Sequence, residues 1–233
     1  MKSWQTVVVS VTGALLAGFA GAAAFSYSGL GHEQTRGYLV DNPEVLPEMA
    51  DALAVREAAD RLAEVSDEVV APFPGAVLGN PQGSRTLVKF TDYACGYCRA
   101  SMADIERLVA ADPDLKVVIR EWPVLQGSEM SARIGLAAAE QGRFPQFYEA
   151  MFSAGSTSPD AVERAARTAG LDWDAAQAFA TSAEADRALA DNMMLADTLG
   201  FRGTPGWVAG DQVLNGMVGY DRLSSALERS DES

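Results

Sequence analysis

The sequence predicts an α/β fold, and three observations predict it. A β-branched, apolar run at residues 86–90 leads through Cys95-Gly96-Tyr97-Cys98 into a helical stretch and then a second strand-like run at 116–120. That order is a βαβ unit. From Ser128 to Gly200 the punctuation is that of about four or five short helices, with no convincing strand. Beyond them, residues 207–209 and 212–214 are joined at Gly210-Asp211 and read as a hairpin. A last helix carries Leu223 and Leu227.

The chain has 233 residues, 48% hydrophobic and 21% charged, which is enough apolar material for one real core. Its 18 Lys and Arg against 32 Asp and Glu give a formal net charge of −14, and no Lys/Arg-rich run occurs. A nucleic-acid partner held through a basic footprint is therefore not expected. With 2 Cys and 1 His the chain cannot complete a four-ligand Cys/His zinc site by itself, nor build a multi-disulfide scaffold.

The N-terminus has no Asp, Glu, Lys or Arg between Lys2 and Glu33, and an apolar, Ala/Gly-rich stretch runs over residues 7–25. Residues 1–26 are expected to be a cleaved signal peptide or an uncleaved membrane anchor. Ala20-Gly21-Ala22 and Ala22-Ala23-Ala24 offer small-residue cleavage sites, and the stretch is close to the roughly 20 residues an anchor needs. Both readings put the remainder in the periplasm or cell envelope, where a disulfide persists.

Residues 27–70 read as a helical arm. Asn42-Pro43-Glu44 is a helix-start signal, with Asn42 as the cap, and Pro47 is early enough to be tolerated. Leu46, Met49, Leu53, Leu62 and Val65 fall near helical spacing among Glu, Asp and Arg. Two uses are open to such a stripe: packing on its own domain, or pairing with copies of itself into a homo-oligomer. Residues 71–233 form the expected main domain, set off by loop punctuation at 71–75 and 79–83. Its first helix is read over 99–110, with Met102, Ile105, Leu108 and Val109 as the apolar side. The helical block falls at about 128–200, punctuated by Gly142, Ser158-Pro159, Gly170, Asp172 and Gly200. Asp221 is read as the cap of the last helix.

Cys95 and Cys98, three apart at a helix start, can close one disulfide. Cys95 falls where unpaired N–H groups and the helix dipole favour an anion, which lowers a thiol pKa from about 8.5. Cys98 lies one turn in and is shielded. Cys95 is thus the expected exposed nucleophile and leaving group, and Cys98 the resolving thiol. The other readings are half of a zinc site completed by a second chain, an inert structural disulfide, and a pair of buried thiols. A loop this short adds little stability as a structural disulfide. Thr204-Pro205 is the second element. A cis proline before a strand exposes the backbone of the preceding residue, which can pair with an extended peptide.

Together the run from Phe90 to Cys98, Glu121-Trp122-Pro123 and Gly203-Thr204-Pro205 resemble the DsbA-like branch of the thioredoxin superfamily, over about residues 86–227. The resemblance implies a thioredoxin fold with an inserted helical domain, preceded here by the helical arm. It also implies Cys95 as attacking cysteine, Cys98 as resolving cysteine and Pro205 as the cis proline. The stretch 38–49 resembles the arm of some bacterial secreted members, a few of which oligomerise through it. One departure concerns the dipeptide Gly96-Tyr97, which lacks the His that stabilises the thiolate in strongly oxidising members; a milder oxidant is expected. Thr204 resembles isomerase and reductase members more, so the direction of electron flow stays open.

The reading is an extracytoplasmic thiol–disulfide oxidoreductase that forms, reduces or isomerises disulfides in secreted proteins, with Thr204, Pro205 and Tyr97 binding substrate. Tyr93, Tyr97, Trp122 and Trp207 are candidates for an apolar floor, shared with core packing. No metal or cofactor is expected. The expected partners are unfolded or thiol-containing secreted proteins and a membrane redox partner that resets the cysteines. The alternative is a redox-inactive holdase or interaction module on the same fold.

Overall fold

The computed structural model describes residues 30–230, with positions 13, 18, 19 and 21 before them. Apart from those four positions, the expected signal or anchor stretch lies outside the described residues. Among the described residues no helix is long and apolar enough to cross a membrane. The chain divides into two compact units, residues 1–54 and 55–233.

In the first unit, α1 (Leu30–Asp41) ends at Asn42, whose side chain and N–H both donate to Tyr38 O, at 2.8 and 2.9 Å. Asn42 thus closes α1 instead of capping the next helix. The expected start signal is a tight turn, with the Val45 N–H on Asn42 O at 3.2 Å. Helix α2 (Val45–Val70) follows, tolerates Pro47 in its first turn, where its missing N–H has no intrahelical partner anyway, and kinks at Val65. Leu46, Met49 and Leu53 are exposed along it.

The second unit continues with β1 (Val77–Gly79), β2 (Arg85–Thr91), α3 (Gly96–Ala100), α4 (Met102–Ala111) and β3 (Leu115–Glu121). Five helices come next: α5 (Glu129–Glu140), α6 (Phe144–Ala154), α7 (Pro159–Thr168), α8 (Trp173–Ala180) and α9 (Ala183–Thr198). The chain closes with β4 (Gly206–Ala209), β5 (Gln212–Asn215) and α10 (Tyr220–Ser230). Ser158 and Asp172 cap α7 and α8 as expected. Asp221 does not cap α10; it lies in the first turn, one residue past the start. The helix read over 99–110 is two helices with a break at Ser101, whose hydroxyl is drawn to Cys98 O at 2.9 Å.

The sheet order is β1-β3-β2-β4-β5, with β2 and β3 parallel from Arg85↔Leu115 to Thr91↔Glu121 and the other pairs antiparallel. Strand β1 falls between the two runs of loop punctuation and has no sequence signal of its own. Three residues are too few to show a period, and β1 exists because the free edge of β3 offers it partners. Strand β2 is central and covered on both faces, so it reads as a continuous apolar run rather than an alternating one. Val88 and Phe90 face Leu62 and Val69 of α2, Leu195 of α9 and Leu199 just past its end. Leu87 faces the other core, with Val117, Ile119, Trp207, α4, α10 and the block α5–α8.

One polar clip holds the end of α2 to the sheet. Arg120, on β3, is buried, and its guanidinium donates to the carbonyls of Glu68, Val69 and Ala71 and to Asn192 Oδ1. Those carbonyls sit at and just past the helix end, where no backbone donor remains for them. Burial draws the Arg120 pKa down to about 10, so the cation stays charged at neutral pH. Arg120→Met should orphan these acceptors and cost about 3 kcal/mol of unfolding free energy. Urea denaturation checks this; an unchanged midpoint would refute the clip.

Candidate active site

The turn that carries the cysteines is tied down by Asp92. Its carboxylate accepts from Ala94 N–H, Leu125 N–H and the Ser128 hydroxyl, each at 2.8 Å, and its carbonyl accepts from Cys95 N–H at 3.1 Å. The chain leaving β2 is thereby locked to the chain leaving β3. Cys95 is the N-cap of α3, with Sγ accepting from Cys98 N–H at 3.4 Å. Its thiol donates to Thr204 O at 3.2 Å, and the Thr204–Pro205 peptide bond is cis. The fold therefore brings Cys95 and Cys98 to Thr204 and Pro205, more than a hundred residues further along the sequence. Both cysteines are free thiols in this structure.

Cys95 is only 6% exposed, less than expected, because the Thr204 loop covers it; Cys98 is fully buried. The two environments differ. For Cys95, burial pushes the thiol pKa up, but hydrogen bonding from the Thr204 side chain, from Cys98 and from the Tyr97 backbone outweighs it. The value falls below that of an ordinary thiol. For Cys98, burial dominates and raises the pKa, with Lys89 opposing it. The two pKa shifts thus have opposite directions, set by hydrogen bonds at Cys95 and by burial at Cys98.

Lys89 lies directly beneath the pair and was not singled out from the sequence. It is fully buried on β2, and Nζ donates to Cys98 O at 3.1 Å and Tyr148 Oη at 2.9 Å. The amine stands 5.3–5.5 Å from the ring centroids of Trp207, Tyr148 and Phe152. Burial draws its pKa down to about 8, against the charges of the cysteines and Glu121. Glu121 is also buried; its Oε1 accepts from Tyr93 Oη at 2.7 Å, Oε2 has no partner, and burial pushes its pKa up. Gly135 of α5 lets this pair approach, since a Cβ there would lie 2.7 Å from Glu121 Oε1. A charged residue amid the apolar run of β2 was the available signal for Lys89.

The aromatic candidates separate. Tyr93, Trp122 and Trp207 are buried core, and Tyr97 is 66% exposed. Tyr97 lines a groove of about 460 Å³ with Arg202, Thr204, Asn215 and Met217. Across the cysteine turn, Val124 and Leu125 are also exposed. The Pro205 carbonyl accepts from the N–H of Gly216, a residue of the groove wall, at 2.8 Å.

The family model of the DSBA-like thioredoxin domain matches residues 86–228. The structure of a thioredoxin-like oxidoreductase from Silicibacter pomeroyi DSS-3 is 42% identical, with a TM-score of 0.65, over 67% of this chain and 92% of that one. A periplasmic thioredoxin-like protein from Salmonella enterica serovar Typhimurium is 25% identical, with a TM-score of 0.63, over 72% of this chain and 97% of that one. The Na(+)/H(+) antiporter NhaA of Herminiimonas arsenicoxydans is 27% identical over 90% of this chain, which spans 35% of that protein's length.

The buried amine makes a measurable demand on stability. An amine whose folded pKa is depressed binds fewer protons folded than unfolded between about pH 8 and its ordinary value of 10.5. Stability from this group therefore rises with pH across that window, by about 3 kcal/mol in total. Relative to Lys89→Met, the unfolding free energy of the native chain should climb from pH 8 to 10 in chemical denaturation. Parallel curves for the two proteins would contradict the buried-amine assignment.

Proposed function

The chain belongs to the DSBA-like thioredoxin domain family, and from that premise we propose that it is an extracytoplasmic thiol–disulfide oxidoreductase working through Cys95-Gly96-Tyr97-Cys98. The observation that carries this is the juxtaposition of Cys95 Sγ with the Thr204 backbone at 3.2 Å, beside a resolving thiol of opposite pKa shift. The oxidoreductase from Silicibacter pomeroyi, at 42% identity, supports it.

In the oxidising direction a substrate thiolate bonds to Cys95 Sγ, the Cys95–Cys98 bond breaks, and Cys98 leaves as a thiolate. A second substrate thiolate attacks the substrate sulfur, and Cys95 leaves. Two substrate thiols are oxidised by two electrons, which reduce the pair. In the reducing or isomerising direction Cys95 thiolate attacks first. The lowered pKa of Cys95 suits it to both attack and departure. Lys89 holds positive charge against Cys98 as its thiolate forms, and Thr204 and Pro205 present backbone to an extended substrate, with Tyr97 as an apolar contact. The direction follows from the potential of the partner that resets the cysteines, proposed to be a membrane redox protein; the substrates are thiol-containing secreted proteins.

The apolar N-terminus and the periplasmic relative from Salmonella support a periplasmic or envelope location. The apolar spacing of Leu46, Met49 and Leu53 along α2 supports the self-association use of the arm, as a docking face for a like helix.

Two sets of outcomes follow. The chain should catalyse reduction of insulin disulfides, Cys95→Ser should lose turnover by at least a hundredfold as an order of magnitude, and Cys98→Ala should accumulate mixed disulfides through Cys95. Alkylation at mildly acidic pH should label Cys95 before Cys98. Absence of catalysed insulin reduction by the native chain would leave the holdase reading instead, and turnover by Cys95→Ser at the native rate would overturn the role of Cys95. Light scattering on chains starting at residue 27 and at residue 55, where the second unit begins, should show loss of an oligomer on truncation; a monomer in both would end the arm assignment.

A further inference from the structure

We propose that the groove beside Cys95 selects cysteine-containing segments that carry a carboxylate within about two residues of the cysteine, and that Arg202 is the residue that selects. The inference rests on the exchange reading above and names the substrate class for it.

The groove begins at the reacting sulfur, because Thr204, whose carbonyl lies 3.2 Å from Cys95 Sγ, is part of its wall. A segment paired with the Thr204 backbone advances about 3.3 Å per residue. Residues one or two away from its cysteine therefore pass over the loop 202–204. What they meet there is an apolar wall with one cation. Tyr97 and Met217 are 66% and 47% exposed, and Arg202 lines the same groove. Among the described residues Arg202 has no ion-pair or hydrogen-bond partner. A carboxylate on a short alkyl stem fits both features, since the stem packs on the wall and the guanidinium fork donates to the oxygens.

The charge distribution supports a local preference. The chain carries a net charge of −14, yet the segments around the pair, residues 93–100, 122–128, 200–206 and 214–219, contain Arg99 and Arg202 and no acid. The two acids next to the site, Asp92 and Glu121, are buried at 1% and 0% exposure. The long-range field of the protein repels an acidic segment, so any preference has to arise at contact. At about 0.15 M salt the screening length is about 8 Å, which mutes the remote acids and leaves a groove contact nearly intact.

The test uses two peptides of equal composition and net charge, each with one cysteine and one glutamate. In one the glutamate is two residues from the cysteine; in the other it is at the far end. The rate of mixed-disulfide formation with the oxidised full chain is measured by acid quench and mass spectrometry, for the native chain, Arg202→Gln, Arg202→Lys and Arg202→Glu. Dividing the near/far ratio of the native chain by that of Arg202→Gln removes the effect of glutamate on the peptide's own thiol. That quotient should be about three to five, the size of one partly exposed ion pair. Arg202→Lys should retain part of the preference, and Arg202→Glu should invert it. A quotient of one overturns the selection by Arg202 and leaves the exchange reading standing. No exchange with either peptide overturns both.

Discussion

The amine of Lys89 is the point at which the parts of the second unit meet. It is a charge without water, which a protein interior tolerates only when the charge is thoroughly engaged. The engagement here is distributed. One hydrogen bond goes to the Cys98 carbonyl of α3 and one to the Tyr148 hydroxyl of α6, while rings from α6 and β4 face it. The amine is therefore satisfied only when the inserted helices have docked on the sheet and the cysteine turn has closed. Burial of Lys89 makes the helical block part of the site and not an attachment to it.

From this tie follows the difference between the two cysteines. They are three residues apart and share a turn, yet one lies at the lip, where N–H groups and Thr204 surround its sulfur, and the other lies inside, above the amine. Asp92 keeps that arrangement in register by spending its carboxylate on Ala94, Leu125 and Ser128. The same bonds fix Val124 and Leu125 beside the cysteine turn, so the apolar rim of the site is set by a buried acid. Glu121 and Tyr93 complete the polar interior beneath, and Gly135 gives them room.

The second face of the sheet repeats the theme with a different cation. Arg120 neighbours Glu121 on β3 and points the other way, as successive residues of a strand must. There it gathers the last carbonyls of α2 and reaches α9 through Asn192, which in turn donates to Glu121 O. Charged side chains on both faces of one sheet thus bind covering helices to strands whose own side chains are mostly apolar. Outside, the acids are at the surface and the cations near the cysteines are few, leaving Arg202 in the groove without competition.

The sequence by itself determined the local events. Cys95-x-x-Cys98 between a strand run and a helix, the capping residues Ser158 and Asp172, the left-handed stop at Gly200 and the hairpin at Gly210-Asp211 are set by neighbours a few residues apart, so they are legible in a linear reading. So were Thr204 and Pro205, once a family resemblance linked them to the cysteines. What needed the tertiary structure was every pairing over distance. No periodicity shows that Lys89 points at Tyr148, that Glu121 meets Tyr93, that Arg120 ends a helix some fifty residues upstream, or that Arg202 and Met217 share a groove with Tyr97. Even the role of Asn42 turned on which of two helices claimed its side chain. The reason is physical: a cap or a turn is fixed by bonds within one stretch of backbone, whereas the state of a buried charge is fixed by whichever distant groups packing brings within 3 Å of it.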